Sequence, residues 1–254
     1  MSQILTRRRF FKTVAGVSVA VPAAVATVRL ADRYGLLPPD HGGLFGVGTS
    51  LTYASQRLLT RGQSLAREFR RGQISTNFPA INTVMPDDGD YRRDIAGGFQ
   101  NWRLIIDGLV AHPTELSLSD LRGFPSRTQI TQHICEQGWS AIAEWKGVPL
   151  SVVLNAVGIQ PQAKYVFFTC IDGWWDSLDM ADALHPQTLL TYGMNGGNLP
   201  VPHGAPVRLR VERQLGYKHL KYLSTMIVTD TAAEWGKGKG SEGAENGYSW
   251  YAGI

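Results

Sequence analysis

Turn-forming residues break this chain into short segments: its 254 positions include 28 Gly and 13 Pro. Gly takes positive φ at little steric cost, and Pro fixes φ and removes a backbone donor. A chain so punctuated forms many turns and few long helices. Between the breaks lie short runs rich in Val, Ile, Thr, Tyr and Phe, the side chains that suit a pleated, half-buried surface. Hydrophobic residues make up 43% and charged residues 18% of the chain, which is ample for a core and unlike a disordered protein. No apolar run in the body reaches the roughly 18 residues of a membrane span, which rules out a multi-span membrane protein. The two Cys are too few for a disulfide scaffold or a thiolate zinc site.

The formal charge of +4 comes from one end. Arg7, Arg8, Arg9 and Lys12 are the only charged residues before Arg29; without those four of its 25 Lys+Arg the chain carries 21, equal to its 21 Asp+Glu. The neutral remainder lacks the persistent basic balance of a nucleic-acid binder. After the basic start come Thr13–Val28, 16 uncharged residues rich in Ala and Val, with Ala24, Val25 and Ala26 as an A-x-A cleavage site. This order is that of a secretory leader, and paired arginines followed by Phe10, Phe11 and Lys12 have the form of a twin-arginine signal. An uncleaved anchoring helix is the alternative, and Pro22 interrupts it. The reading is a leader over 1–31 that uses the twin-arginine translocase and a periplasmic destination. Passengers of that route cross folded, often with a cofactor in place.

Residues 32–98 form an extended lead-in. Gly46 and Gly48 begin a dinucleotide fingerprint, but Leu51 stands where its third Gly would be, so it is discounted. The spacing predicts a short helix within 55–71, and two prolines with an Asp-Asp-Gly turn predict a loop over 78–90. Strand signals become dense in a core over 99–235: 102–106, 128–134, 164–170, 174–180, 188–192, 207–211 and 222–229. Leu118 to Leu121 suggests a short capped helix. Leu150, Val153, Leu154 and Val157 recur at helical spacing after Pro149 and stop at Gly158. Within 207–211, Val207, Leu209 and Val211 face one way, and Arg208 and Arg210 the other. Residues 236–254 are a Gly-rich tail, pinned by Trp250 and Tyr251. The expected class is α+β, mostly β.

No C-x-x-C, H-E-x-x-H, Walker loop or complete G-x-S-x-G elbow occurs in the body, so a bound cofactor is favoured over protein-only catalysis. Cys135 follows a strand and precedes a polar turn, where a thiolate can reach a soft metal. A buried free thiol, or a disulfide with Cys170, are the other readings. His203, Gly204, Ala205 and Pro206 form a turn that feeds the Arg208 strand. With Lys218, His219 and Lys221 nearby, this suits a phosphate. A hairpin with solvated charges is the alternative.

At these residues the chain resembles the sulfite oxidase family of molybdopterin enzymes in their single-domain bacterial form, related to the periplasmic methionine sulfoxide reductase subunit. The carrying segments are Thr131–Cys135, Trp139 through Trp145 to Leu150, Lys164–Val166, His185–Leu189, Gly204–Leu209, Gly216–Lys218 and Tyr248–Ile254, in family order over roughly 75–254. The resemblance implies the mixed-sheet, barrel-like fold of that domain and one pterin whose dithiolene holds molybdenum, with Cys135 as the protein's ligand. It implies that Arg208 and Lys221 grip the pterin phosphate and that the amides of His219, Leu220 and Lys221 line its turn. His203 falls at a pterin-contacting position, Cys170 where relatives have Thr, and Asn77 at an early pterin contact. The activity implied is two-electron oxygen-atom transfer on a small-molecule substrate, with a separate redox partner such as a cytochrome or membrane haem protein. The chain departs from the family at Ile134: sulfite-oxidising relatives, and the periplasmic methionine sulfoxide reductase subunit as well, have Arg immediately before the ligand Cys, and a neutral residue there counts against a dianion such as sulfite. A sulfoxide reductase is the alternative activity. A non-catalytic periplasmic binding domain is the alternative of another class, and the presence of Cys135 weighs against it.

Overall fold

The computed structural model describes residues 31, 37–42, 46–60, 65–251, 253 and 254. Apart from Ala31, the leader over 1–31 lies outside them. In chain order the elements are α1 (Gly46–Thr60), α2 (Gly89–Ala96), β1 (Arg103–Gly108), β2 (Thr114–Ser117), α3 (Leu118–Gly123), β3 (Arg127–Ile134), β4 (Ser140–Pro149), α4 (Leu150–Ala156), β5 (Tyr165–Cys170), β6 (Trp175–Asp179), α5 (Met180–Ala183), β7 (Thr188–Met194), β8 (Gly197–Asn198), β9 (Arg208–Val211), β10 (Leu223–Thr229) and α6 (Glu242–Glu245). The class is α+β and mostly β, as expected.

The strands form two five-stranded sheets. One runs β2-β1-β10-β5-β6; the other runs β3-β4-β7, with β8 and β9 both paired to β7. The first is mixed, because β1 and β10 are parallel and its other pairs antiparallel. The main core includes Leu104 and Ile106 of β1, Val166 and Phe168 of β5, and Met226 and Val228 of β10. From the second sheet and α4 it takes Leu190, Leu209, Val211, Val153 and Leu154. Alternation on β9 therefore sends its apolar residues to this core and Arg208 and Arg210 to the other face. A second cluster covers the opposite face of β5, where Tyr165 and Phe167 meet Tyr53 of α1 and Trp250 and Tyr251 of the tail.

Local chemistry accounts for the ends of elements. Ser117 caps α3: its Oγ accepts from the Asp120 amide at 3.1 Å, and Asp120 accepts from the Ser117 amide at 2.9 Å. Gly147 sits at the irregularity between β4 and β7, where a Cβ would stand 2.3 Å from the Leu190 carbonyl oxygen. Only a glycine lets the two backbones approach so closely.

Three local expectations are corrected. The first helix is Gly46–Thr60 rather than one within 55–71, anchored by a buried Tyr53. The loop expected over 78–90 gives way at Gly89 to α2, capped by Asp88, whose carboxylate accepts from the Tyr91 amide at 2.7 Å. Strands β2 and β4 were not foreseen. The 4-residue β2 is an edge strand with no buried residue, so it carries little apolar signal. In β4, Ala143, Glu144 and Trp145 are buried in succession and the pairing shifts register after Lys146, which spoils the alternation.

Candidate active site

The site lies on the face of the second sheet turned away from the main core. Thr131, His133 and Cys135 alternate along β3 and just past its end, and all three are buried. Cys135 sits in the turn to β4: its amide donates to the Trp139 carbonyl at 2.9 Å, and the Gly138 amide returns to the Cys135 carbonyl at 3.1 Å. The Gln137 amide points at Sγ from 3.5 Å. Burial pushes the Cys135 pKa up, so a bound cation is what would draw out its thiolate. Both cysteines are free, and the disulfide reading falls away.

A cleft opens over this thiol. Its lining includes Cys135, His133, Glu136, Trp139, His203, Arg208, Tyr217, His219, Lys221 and the segment 78–82. Phe78 anchors that segment, with ring centroids 5.3 Å from Trp145, 5.4 Å from His203 and 5.5 Å from His133. The turn after β8 brings in His203. At Gly204, φ is +104° and a Cβ would stand 2.8 Å from the Lys221 Cβ, so a glycine is what allows this turn to lie against Lys221.

The electrostatics decide what the cleft can hold. Arg208 and Arg210 are both buried, so the solvated-charge hairpin is overturned, but they are partnered differently. Arg210 gives Nε and NH2 to the Glu212 carboxylate at 2.9 and 2.7 Å and meets His133 Nδ1 at 2.9 Å. Arg208 has no carboxylate: it donates to the His203 and His219 carbonyls at 3.0 and 3.1 Å, and its buried Nε has no partner. Burial, then Arg210, lowers its pKa to about 9. Lys221 donates to the carbonyls of Ile81 at 2.8 Å, Thr83 and Pro202. Burial, then Arg208, lowers its pKa to about 8. Burial and the same cations depress His203 to about 4 and His133 to about 2, and push His219 down as well. The shifts of Arg208 and Lys221 are those of cations held in low dielectric without a carboxylate, which an anion would relieve, whereas the depressed histidines are held neutral. Glu136 Oε2, Trp139 Nε1 and His219 Nδ1, buried on lining residues, also lack partners.

Of the residues singled out from sequence, Cys135, His203, Arg208, His219 and Lys221 come together in the cleft. Asn77, Cys170 and Leu220 are not among its lining residues. Asn77 is exposed beside Phe78. Cys170, with 7% exposure, and Leu220, with 3%, pack into the main core. Sequence reading missed Phe78 and Tyr217 as walls of the cleft and left Arg210 without a role. Arg-x-Arg on a strand whose other face is apolar was the available signal for a buried cationic pair. A wider groove of about 550 Å³ beside the β7–β8 hairpin, lined by Arg122, Lys146 and Tyr192 among others, contains none of the predicted site residues.

One thiol and two carboxylate-free cations around one cleft define a cofactor-binding domain. Among the described residues no three His, Cys, Asp or Glu side chains cluster to hold a metal, so a metal at Cys135 would take most of its ligands from a cofactor. The residues fit a group that carries a phosphate and a soft metal.

Comparison with known proteins supplies the particular group. Residues 92–235 match the family described as oxidoreductase molybdopterin binding domain. A protein of Azospira oryzae, named "Putative protein-methionine-sulfoxide reductase subunit YedZ1", is 39% identical over 189 residues, covering 74% of this chain and 68% of that protein. The uncharacterized oxidoreductase YuiH of Bacillus subtilis is 32% identical, over 61% of this chain and 76% of its own length. The protein-methionine-sulfoxide reductase catalytic subunit MsrP of Campylobacter jejuni is 29% identical, over 61% of this chain and 57% of its own. The chain belongs to the oxidoreductase molybdopterin binding domain family. It is a molybdenum oxidoreductase, and its cofactor is molybdenum–molybdopterin.

Proposed function

We propose that the protein is exported by the twin-arginine route and transfers an oxygen atom, with two electrons, at a molybdenum centre ligated by Cys135. One observation carries the reading: the Cys135 thiol and the carboxylate-free Arg208 and Lys221 line a single cleft. Arg208 and Lys221 would hold the pterin phosphate, and giving up carbonyl acceptors for an anion favours their charged forms. His203 and His219 would bound the pterin, with Trp139 Nε1 and His219 Nδ1 free to hydrogen bond to it. The bound group supplies the oxygen-atom transfer chemistry. Phe78 and Trp139, whose rings meet edge to face 5.9 Å apart, form an aromatic wall of the cleft.

A sulfoxide is the substrate class best supported, and reduction the direction. Two of the relatives carry methionine sulfoxide reductase names. On this chain, Ile134 places no cation beside Cys135, and the nearby Arg210 is neutralised by Glu212. A neutral S=O group needs no fixed counter-ion, whereas a dianion would pay heavily for desolvation. Reducing equivalents would come from a separate partner, such as a cytochrome or a membrane haem protein, in the periplasm. Among the described residues no helix is long and apolar enough to cross a membrane.

The test is Cys135→Ser. A hydroxyl is a poor ligand for a soft metal, so turnover of methionine sulfoxide with an artificial reductant should vanish while released pterin per protein stays near wild type. Wild-type turnover in Cys135→Ser would remove the thiolate from the mechanism. Activity on sulfite but not on sulfoxides would replace the substrate.

A further inference from the structure

The turn that carries His219 and Lys221 toward the cleft is a single 3-10 turn, Gly216–Lys218, between β9 and β10. Its front faces the cofactor cleft. Gly216 is packed so closely there that a Cβ would lie 2.8 Å from His133 Nε2, and the Tyr217 ring forms part of the lining. Its back is gripped by the C-terminal tail. Tyr217 donates its hydroxyl to the Ser249 carbonyl at 2.6 Å and stacks on Tyr248 with ring centroids 5.0 Å apart. Helix α6 comes close enough that a Cβ on Gly243 would lie 3.1 Å from the same ring.

Lys218, although adjacent to Tyr217, turns away from the cleft and is buried. Its Nζ donates to Asp176 at 2.5 Å and to the Ser177 carbonyl at 3.1 Å, and lies 5.0 Å from the centre of the Trp250 ring. The tail completes that knot: Ser241 Oγ donates to the other Asp176 oxygen at 2.9 Å, and Trp250 Nε1 donates to Ser177 Oγ at 2.8 Å. The segment just before the turn is held as well, through the bridge of Gln214 with Gly253 and the Ile254 amide donating to the Arg213 carbonyl at 3.0 Å.

We propose that the C-terminal tail is a latch for the cofactor: residues 240–251, 253 and 254 hold the Gly216–Lys218 turn from behind and set how long the pterin group stays bound. The inference rests on the reading that the cleft binds that group through Arg208 and Lys221. Tyr217 and Lys218 are positioning residues in it. A phosphate grip works only if its donors are held in place before the anion arrives. His219 and Lys221 follow this short turn outside any strand, so their placement depends on what packs behind it.

The experiment is cofactor release from purified holoprotein at a fixed temperature below melting, followed by pterin fluorescence and protein-bound molybdenum. Tyr217→Phe keeps the ring in the cleft and loses only the hydroxyl bond to the tail. Loss of one such bond should speed release roughly three- to tenfold, with the melting temperature of the cofactor-free protein little changed. Trp250→Phe, which loses its two indole N–H contacts, should act in the same direction. Val153→Ala, in the main core, should lower the melting temperature and leave release at the wild-type rate. Arg208→Ala should release cofactor fastest, by direct loss of contact. If Arg208→Ala retains cofactor like wild type, the cleft reading fails. If Arg208→Ala releases it while Tyr217→Phe and Trp250→Phe match wild type, or if Val153→Ala speeds release as much as they do, the latch is wrong and the tail is merely structural.

Discussion

The protein buries charge in two places and treats it in opposite ways. Behind the first sheet, Asp176, Asp179 and Asp182 are all buried, and each is answered by partners. Lys218 meets Asp176, Arg57 and the Tyr53 hydroxyl meet Asp179, and Arg57, Arg213 and Gln214 converge on Asp182. Burial pushes the Asp182 pKa up, but Arg57 and Arg213 hold it below the ordinary carboxylate value. In the cleft, Arg208 and Lys221 are given only carbonyls, and their pKa values fall. A closed network fastens α1 and the tail to the sheet, whereas the open one leaves its cations without a carboxylate. Buried charge alone does not mark a site; the missing counter-ion does.

The comparison breaks most visibly at Asp182. Asp182→Ala would strand Arg213 and leave Arg57 with Asp179 alone, and removing one partner of a buried network costs about 3–5 kcal/mol. Denaturant unfolding should show that loss, and pterin content per folded molecule should not change.

Arg208→Ala should do the reverse. Each charge-assisted bond contributes about 1.5–3 kcal/mol to phosphate affinity, so cofactor should be lost on purification. The cofactor-free protein should be no less stable, because an uncompensated buried cation is removed. A large drop in its unfolding free energy would place Arg208 with the structural network instead.

Lys221 sharpens the contrast through pH. Its pKa in the folded, cofactor-free protein is lowered to about 8 from the ordinary 10.5. Between these values the unfolded chain binds more protons than the folded one, so this group's contribution to stability rises with pH. Denaturant unfolding at pH 8 and pH 10 should show a gain in wild type that is smaller in Lys221→Met. With cofactor bound the phosphate favours the charged form, so retention should weaken above pH 8. An equal gain in both proteins would mean that Lys221 is not desolvated.

The smallest effect belongs to Cys170, which sits in the main core. Cys170→Thr puts a hydroxyl among apolar side chains and should cost about 1–2 kcal/mol of stability. Pterin content and turnover should match wild type, and a fall in pterin content would return Cys170 to the cofactor site.

Much of this was legible in the sequence because it depends on local chemistry. The Gly and Pro spacing predicts short elements. Leu150, Val153 and Leu154 announce α4, and period-two alternation announces β9 and separates its apolar face from Arg208 and Arg210. The same alternation puts His133 and Cys135 on one face. Elsewhere the local signal was too weak or misdirected. In α1, Leu51, Leu58 and Leu59 are exposed while Tyr53 is buried, so its apolar residues do not trace its inner face. In α2, Asp90, Arg92, Arg93 and Asp94 hide a helix whose start depends on the Asp88 cap.

The tertiary structure alone decided the state of the charges. Arg208 and Arg210 are the same residue type, two positions apart on one strand face, yet Arg210 is neutralised by Glu212 and Arg208 meets only carbonyls. Lys218 ends the Gly216–Lys218 turn and Lys221 follows three residues later, yet one is tied to Asp176 behind the turn and the other lines the cleft. The chain specifies that these cations exist and which face of a strand they share. Their counter-ions and their exposure depend on strands and tail segments brought together from distant parts of the sequence, since desolvation and Coulomb interaction follow distance in space and not along the chain.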